Sequence, residues 1–183
     1  MLEKNLVRKQ YYHLRKKNYF DVKNFFFYPF IKLIKNKFKK KKLNLSIYYP
    51  SSYELNVLKL LENDYILHQN ILLPVIAEGN TMNFFLWKKN QVLFINKYGM
   101  LEPIKSKPII PDVILVPLLA FNEKKHRLGY GKGFYDRYLN KYLRKFKNIL
   151  TVGVAFSFQK YHKLPINTKD VKLDFMLTEK GIF

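Results

Sequence analysis

Asp112-Val113-Ile114-Leu115-Val116-Pro117 is an apolar run rich in β-branched residues, preceded by Pro108 and Pro111 and stopped by a proline. So short a run, without polar alternation, reads as a strand buried on both faces, the signature of a central parallel strand. Leu150 to Ala155 repeats the pattern, and Leu173 to Leu177 reads as a last strand. Upstream, Leu45-Ser46-Ile47-Tyr48-Tyr49, Ile71 to Ile76, Asn83 to Leu86 and Val92 to Ile95 read as further strands.

Helical spacing separates these strands. Residues 3–17 set Leu6, Tyr11 and Leu14 among charges, an amphipathic helix. Residues 20–38 read as a second helix with Pro29 near a bend or break. Ser51 or Ser52 is placed to cap a helix running to about Glu62, and Phe134 to Phe146 reads as another. Strands alternating with helices imply an α/β layered domain with a mainly parallel central sheet flanked by helices, Rossmann-like in class. No internal repeat or boundary interrupts the chain, so residues 1–183 are expected to form one domain.

Composition narrows the chemistry. The absence of cysteine excludes disulfides, thiolate metal sites and a cysteine nucleophile. Phe25-Phe26-Phe27-Tyr28-Pro29-Phe30-Ile31 is apolar, but a spanning helix needs about 20 such residues. Lys32, Lys35 and Lys37 follow it, so it reads as a buried helix face or turn, in a cytoplasmic protein with no membrane partner. The formal net charge of +21 is the footprint of a polyanion binder. Yet of 34 basic residues only Arg8, Arg15, Arg127, Arg137 and Arg144 are arginine, the side chain suited to bidentate phosphate and base contacts. Chain-wide enrichment in Lys, Asn, Ile, Phe and Tyr accounts for the charge as compositional drift, against the competing reading of a nucleic-acid binder built on the lysine-rich residues 32–42. In either case a positive field raises the encounter rate with an anionic substrate. His13, His68, His126 and His162 show no metal-ligand spacing, and no serine–histidine–acid arrangement is visible.

Chemistry concentrates in Arg127-Leu128-Gly129-Tyr130-Gly131-Lys132-Gly133-Phe134-Tyr135-Asp136-Arg137, which follows the central strand and opens into a helix. Alternate glycines let backbone N–H groups approach a ligand and adopt positive φ. A helix N-terminus favours phosphate, and Lys132 adds a full charge. The spacing matches neither the Walker loop nor the dinucleotide fingerprint. A plain glycine-rich turn would share the spacing but needs neither Arg127 nor Asp136. A carboxylate beside bound phosphate calls for an intervening cation, which makes Asp136 a candidate magnesium ligand.

Together with Asp112 to Asn122, this segment resembles the signature of 5-formyltetrahydrofolate cyclo-ligases, also called methenyltetrahydrofolate synthetases. Tyr98-Gly99-Met100-Leu101-Glu102-Pro103 is similar to the family's Gly-x-x-Glu-Pro segment. Val152 to Phe156, Gln159, Leu164-Pro165, Asp170 to Asp174 and Thr178-Glu179 follow in the family's order. The clear likeness covers residues 71–183, with weaker pieces at 4–15 and 45–57.

The resemblance implies ATP contacts from Lys4, Arg8 and the run Arg127, Leu128, Gly129, Tyr130, Gly131, Lys132, Gly133, Phe134 and Tyr135. It implies folate contacts from Ser51, Glu54, Tyr130, Gly131, Lys132, Gly133 and Phe134. Magnesium falls to Asp136 and Asp170, and the catalytic charges to Lys132 and Arg127. Arg15 falls at an expected later position on the first helix. Glu54 suits a pterin, since a carboxylate accepts two hydrogen bonds from its amino group and adjacent ring N–H; a glutamate in a helix first turn is the plain alternative. The implied reaction is ATP- and Mg2+-dependent conversion of 5-formyltetrahydrofolate, polyglutamylated or not, by a monomer that does not require nucleic acid. A member that binds folate or nucleotide without catalysis is the other reading; Lys132, Asp136, Asp170 and Glu54 count against it. Departures from the pattern are Asn122 where aspartate is common, Tyr49-Pro50 before Ser51, and the lysine- and phenylalanine-rich residues 18–42.

Overall fold

A computed structural model describes residues 2–39 and 42–183. In chain order its elements are α1 (Leu2–Asn18), α2 (Tyr28–Lys37), β1 (Asn44–Ser46), α3 (Asp64–Leu67), β2 (Asn70–Ala77), β3 (Thr81–Leu86), β4 (Phe94–Ile95) and β5 (Leu101–Glu102). These are followed by β6 (Val113–Pro117), β7 (Ala120–Phe121), β8 (Arg127–Leu128), α4 (Phe134–Tyr142), β9 (Leu150–Val154), β10 (Phe175–Thr178) and β11 (Gly181–Ile182).

Seven strands form one sheet in the order β11-β10-β9-β6-β1-β2-β3. Strands β2, β1, β6, β9 and β10 run parallel, while β3 and β11 close the two edges antiparallel. The apolar run in β6 is continuous because each face of the pleat enters a core. Val113 and Leu115 join Leu45, Ile47, Val152 and Val154 under Phe27, Phe30 and Ile34. Ile114 and Val116 face the other way, with Leu72, Met176 and the α4 residues Tyr138 and Leu139. Truncating such a residue, Leu115→Ala for instance, removes about 2–5 kcal/mol of stability. At Gly153 in β9, a Cβ would lie 2.6 Å from the Met176 sulfur, so any larger residue there would require the Met176 side chain to move. Helix α1 lies apart from both layers, its Val7 and Tyr11 packed on Leu119, Ala120, Leu128 and Leu164.

Several local readings change. Pro29 opens α2 rather than breaking it, because a first-turn position needs no N–H donor. Residues 20–23 are irregular and Asn24–Phe27 form a 3-10 turn. Phe26, Phe27, Phe30 and Ile31 are buried there, while Phe25 and Tyr28 are exposed. No helix runs from Ser51 to Glu62: Ser52 and Tyr53 adopt left-handed φ of 50° and 64°, and Asn56 caps a 3-10 helix over Val57–Glu62. Strand β1 stops at Ser46, β4 begins only at Phe94, and α4 stops at Tyr142. Lys40 and Lys41 of the lysine ramp lie outside the described residues. Among the described residues no helix is long and apolar enough to cross a membrane.

Candidate functional site

From β1 the chain adds β2 and β3 on one side, then crosses back to add β6, β9 and β10 on the other. The strand order therefore reverses between β1 and β6. In open α/β sheets ligands bind in the crevice outside the carboxyl ends of the strands at such a reversal. Here those ends lead into residues 47–56 and 118–133, which carry Ser51 and Glu54 on one side and the glycine loop on the other.

The β7–β8 hairpin delivers the loop. Asn122 shapes its turn, Oδ1 accepting the His126 N–H at 3.0 Å while Lys125 takes a left-handed φ of 64°. Gly131 and Gly133 follow with φ of 98° and 69°, and Gly133 stands at the N-terminus of α4. Helix α1 crosses the loop and presents Lys4, Arg8, Tyr11 and Arg15 along one face, as residues four, seven and eleven apart must. Arg8 Nε donates to Gly129 O at 2.9 Å, and a Cβ at Gly131 would meet its guanidinium at 3.2 Å. Any side chain at Gly131 would therefore crowd the Arg8 guanidinium.

Lys132 is exposed, with Nζ 5.5 Å from the centre of the Tyr98 ring, and Tyr98 meets Phe134 edge to face. Arg137 braces the loop from outside, donating to Lys132 O and Asn80 O at 2.9 and 2.7 Å. Leu128 is buried in the small core under α1, so it contributes backbone rather than side chain.

Two carboxylates sit at the mouth of α4. Asp136 Oδ1 accepts from Arg127 Nη1 at 2.7 Å and from the Val171 N–H at 3.3 Å. Asp170, the residue before Val171, accepts from Lys4 Nζ and from the Asn167 N–H. Both carboxylates are thus drawn to one region, each paired with a cation. Among the described residues no cluster of three His, Cys, Asp or Glu exists.

On the far side of the loop, Glu54 is buried. Its Oε2 accepts the Ser51 N–H at 2.9 Å, and its Oε1 accepts the Tyr130 hydroxyl at 2.7 Å. Burial pushes the carboxyl above its ordinary range, with the hydrogen bonds from Tyr130 and Ser51 and the charge of Arg15 opposing. The Tyr130 phenol is pushed up strongly, by burial of its hydroxyl end and by the Glu54 charge. The same pair of causes acts on Tyr135. Arg127 Nε, Arg15 Nε and Tyr135 Oη are buried without a hydrogen-bond partner, an unfavourable state for each.

The structure therefore brings Lys4, Arg8, Arg127, Asp136 and Asp170 to one end of the loop, and Ser51, Glu54 and Tyr130 to the other. Sequence reasoning gave no role to Arg15, though its place on the Lys4–Arg8 face was a usable signal. Tyr98 carried no signal of its own, because only the β4–β5 hairpin brings it to Lys132.

Comparison with known proteins finds relatives in sequence and in fold. A sequence model of the 5-formyltetrahydrofolate cyclo-ligase family matches residues 30–179. A probable 5-formyltetrahydrofolate cyclo-ligase from Schizosaccharomyces pombe is 35% identical over 129 residues, covering 62% of this chain and 63% of that protein, just under two thirds of its length. The 5-formyltetrahydrofolate cyclo-ligase of Haemophilus influenzae is 29% identical over 137 residues, covering 71% and 72%. The NMR structure of 5,10-methenyltetrahydrofolate synthetase from Aquifex aeolicus superposes with a TM-score of 0.72 at 30% identity, covering 100% of this chain and 92% of that one. With more than half its length matched by the family's pattern and the same fold in a solved relative, this chain belongs to the 5-formyltetrahydrofolate cyclo-ligase family.

Proposed function

We propose that this chain converts 5-formyltetrahydrofolate into 5,10-methenyltetrahydrofolate in an ATP- and magnesium-dependent reaction that releases ADP and phosphate. The observation that carries the reading is the loop's position, with the cations of α1 at one end and the buried Glu54 at the other. A phosphate chain and a pterin would meet across it.

The residues present fit both groups. For the nucleotide, the left-handed Gly131 and Gly133, the α4 N-terminus, Lys4, Arg8 and Lys132 form a cradle that a Cβ at Gly131 would crowd. For the metal, two carboxylates without a third suit magnesium, which keeps several waters and shares substrate phosphates instead of entering an all-protein cage. Asp136 and Asp170 would hold it, where it supplies charge neutralisation on phosphate oxygens.

Transfer of the γ-phosphoryl group to the formyl oxygen makes that oxygen a leaving group; N10 attacks the formyl carbon, loses its proton, and phosphate departs. The chain needs no covalent nucleophile for this, so its task is placement and electrostatics. Arg127, fixed by Asp136, and Lys132, free at the loop tip, face developing negative charge as donors that need little reorganisation. Glu54 orients the pterin by accepting its amino and ring N–H groups. Phe134 and Tyr98, already in edge contact, exclude water from the reacting atoms.

The test is a direct assay with 5-formyltetrahydrofolate, ATP and magnesium, following the near-ultraviolet absorbance of the methenyl product. ATP-dependent product whose formation is strongly reduced in Lys132→Ala is the expected result. A folded protein that binds ATP but forms no product overturns the catalytic reading.

A further inference from the structure

Arg15 is the most deeply buried charge among the described residues, 1% exposed, and nothing above assigns it a task. Its guanidinium donates to Leu118 O at 3.1 Å, to Ser52 O at 2.7 Å and to the Tyr130 hydroxyl at 2.5 Å. Among the described residues no carboxylate forms an ion pair with it. Its charge is answered through one intervening atom: the Tyr130 oxygen that accepts from Arg15 also donates to Glu54 Oε1.

That hydroxyl is one donor toward a carboxylate and one acceptor from a guanidinium, side by side. A pterin edge offers the same sequence of groups, with the 2-amino and ring N–H donors next to the 4-oxo acceptor. We propose that Arg15 is a substrate-reading residue which receives the 4-oxo group of the pterin beside Glu54, and that the Tyr130 hydroxyl occupies this position until substrate displaces it. The inference rests on the folate reading of Glu54 given above.

Three observations support it. Tyr130 is flanked by Gly129 and by Gly131, whose φ of 98° a side chain would disfavour, so its peptide turns with little steric resistance. The residue is 42% exposed although its hydroxyl is the buried end, so the ring has an open path outward. Arg15 Nε is buried without a partner, leaving one donor that the hydroxyl does not satisfy. An Arg–Glu pair held apart by a removable hydroxyl is therefore already spaced for a flat ligand that carries both complements. It also discriminates: a 2,4-diamino analogue turns an N–H donor toward the guanidinium, which cannot accept.

Binding in the absence of nucleotide tests this, by titration calorimetry with 5-formyltetrahydrofolate on Tyr130→Phe, Glu54→Gln and wild type. Phenylalanine keeps the ring and removes the competitor, so affinity is expected to rise about tenfold, the factor by which a mostly latched population depresses it. Wild type is expected to bind a 2,4-diamino analogue at least tenfold more weakly than its 4-oxo counterpart, with the difference much reduced in Arg15→Lys. Unchanged or weaker folate binding by a folded Tyr130→Phe protein, while Glu54→Gln still loses affinity, overturns the inference and leaves the folate reading standing. No loss in Glu54→Gln overturns the folate reading itself.

Discussion

Arg127 Nη1 donates to Asp136 Oδ1 at 2.7 Å, joining the start of the glycine loop to the first turn of α4. The arginine side chain is 3% exposed and the carboxylate 27%, so the buried member of the pair depends on its partner. Asp136→Asn leaves a buried guanidinium without a counter-charge. The expected stability loss is on the order of 2 kcal/mol, below the value for a fully buried pair because Asp136 reaches solvent. The same substitution is expected to raise the magnesium concentration at half-maximal activity. A melting curve and a magnesium titration of one sample separate the effects: a lower melting point with an unchanged titration removes Asp136 from the metal site.

Lys132 gives the opposite combination. It is exposed and makes no ion pair among the described residues, its ammonium lying over the Tyr98 ring. Lys132→Ala is expected to change stability by less than about 0.5 kcal/mol. Turnover is expected to fall about 10²–10³-fold, the effect of removing one donor aimed at developing charge. Parallel losses of melting temperature and activity would show that the lysine acts by holding the loop.

Gly131 is constrained twice, by a φ of 98° and by Arg8, which a Cβ would meet at 3.2 Å. Gly131→Ala is expected to reduce stability by about 1–3 kcal/mol and to push Arg8 from the Gly129 carbonyl. ATP affinity should then fall more than folate affinity, since Arg8 belongs to the proposed phosphate cradle. Equal losses for both ligands would mean that the whole loop had moved.

These contrasts show which features could be read from the chain. The parallel core was legible because β6 and β9 are buried on both faces, and burial on both faces leaves continuous apolar runs. The stretch after β1 was misread because Ser51, Ser52 and a glutamate imitate a helix start. The left-handed Ser52 and Tyr53 instead fold the chain so that the Ser51 N–H and hydroxyl turn toward Glu54. Pro29 was read as an interruption because a proline suits a first turn and a break equally from sequence. Lys4 and Arg8 were legible as one helix face. Arg15 shares that face, but its task was not legible, because its partners are two carbonyls and a tyrosine far away in sequence. Tyr98 depends likewise on a hairpin pinned by Glu102, whose Oε1 accepts from the Ile76 N–H and Asn96 Nδ2 at 2.8 and 2.6 Å.

Glu54 supplies a pH dependence whose sign follows from its burial. Its folded carboxyl titrates above the ordinary 4.5, chiefly because burial disfavours the charged form. The folded state thus holds the Glu54 proton more tightly than the unfolded chain. This group's contribution to stability is complete below pH 4.5 and is lost as the pH rises through the raised value. Glutamine is uncharged throughout and keeps an acceptor for the Ser51 N–H. Glu54→Gln is therefore expected to melt a few degrees higher than wild type at pH 7–8, with the gap closing as the pH falls below the carboxyl's ordinary range. Under the proposed role of Glu54 in orienting the pterin, folate turnover should drop in the same variant. Melting curves of both proteins between pH 4 and 8 decide the matter: a variant less stable than wild type across the whole range would mean that Tyr130, Ser51 and Arg15 more than offset the burial of the charge.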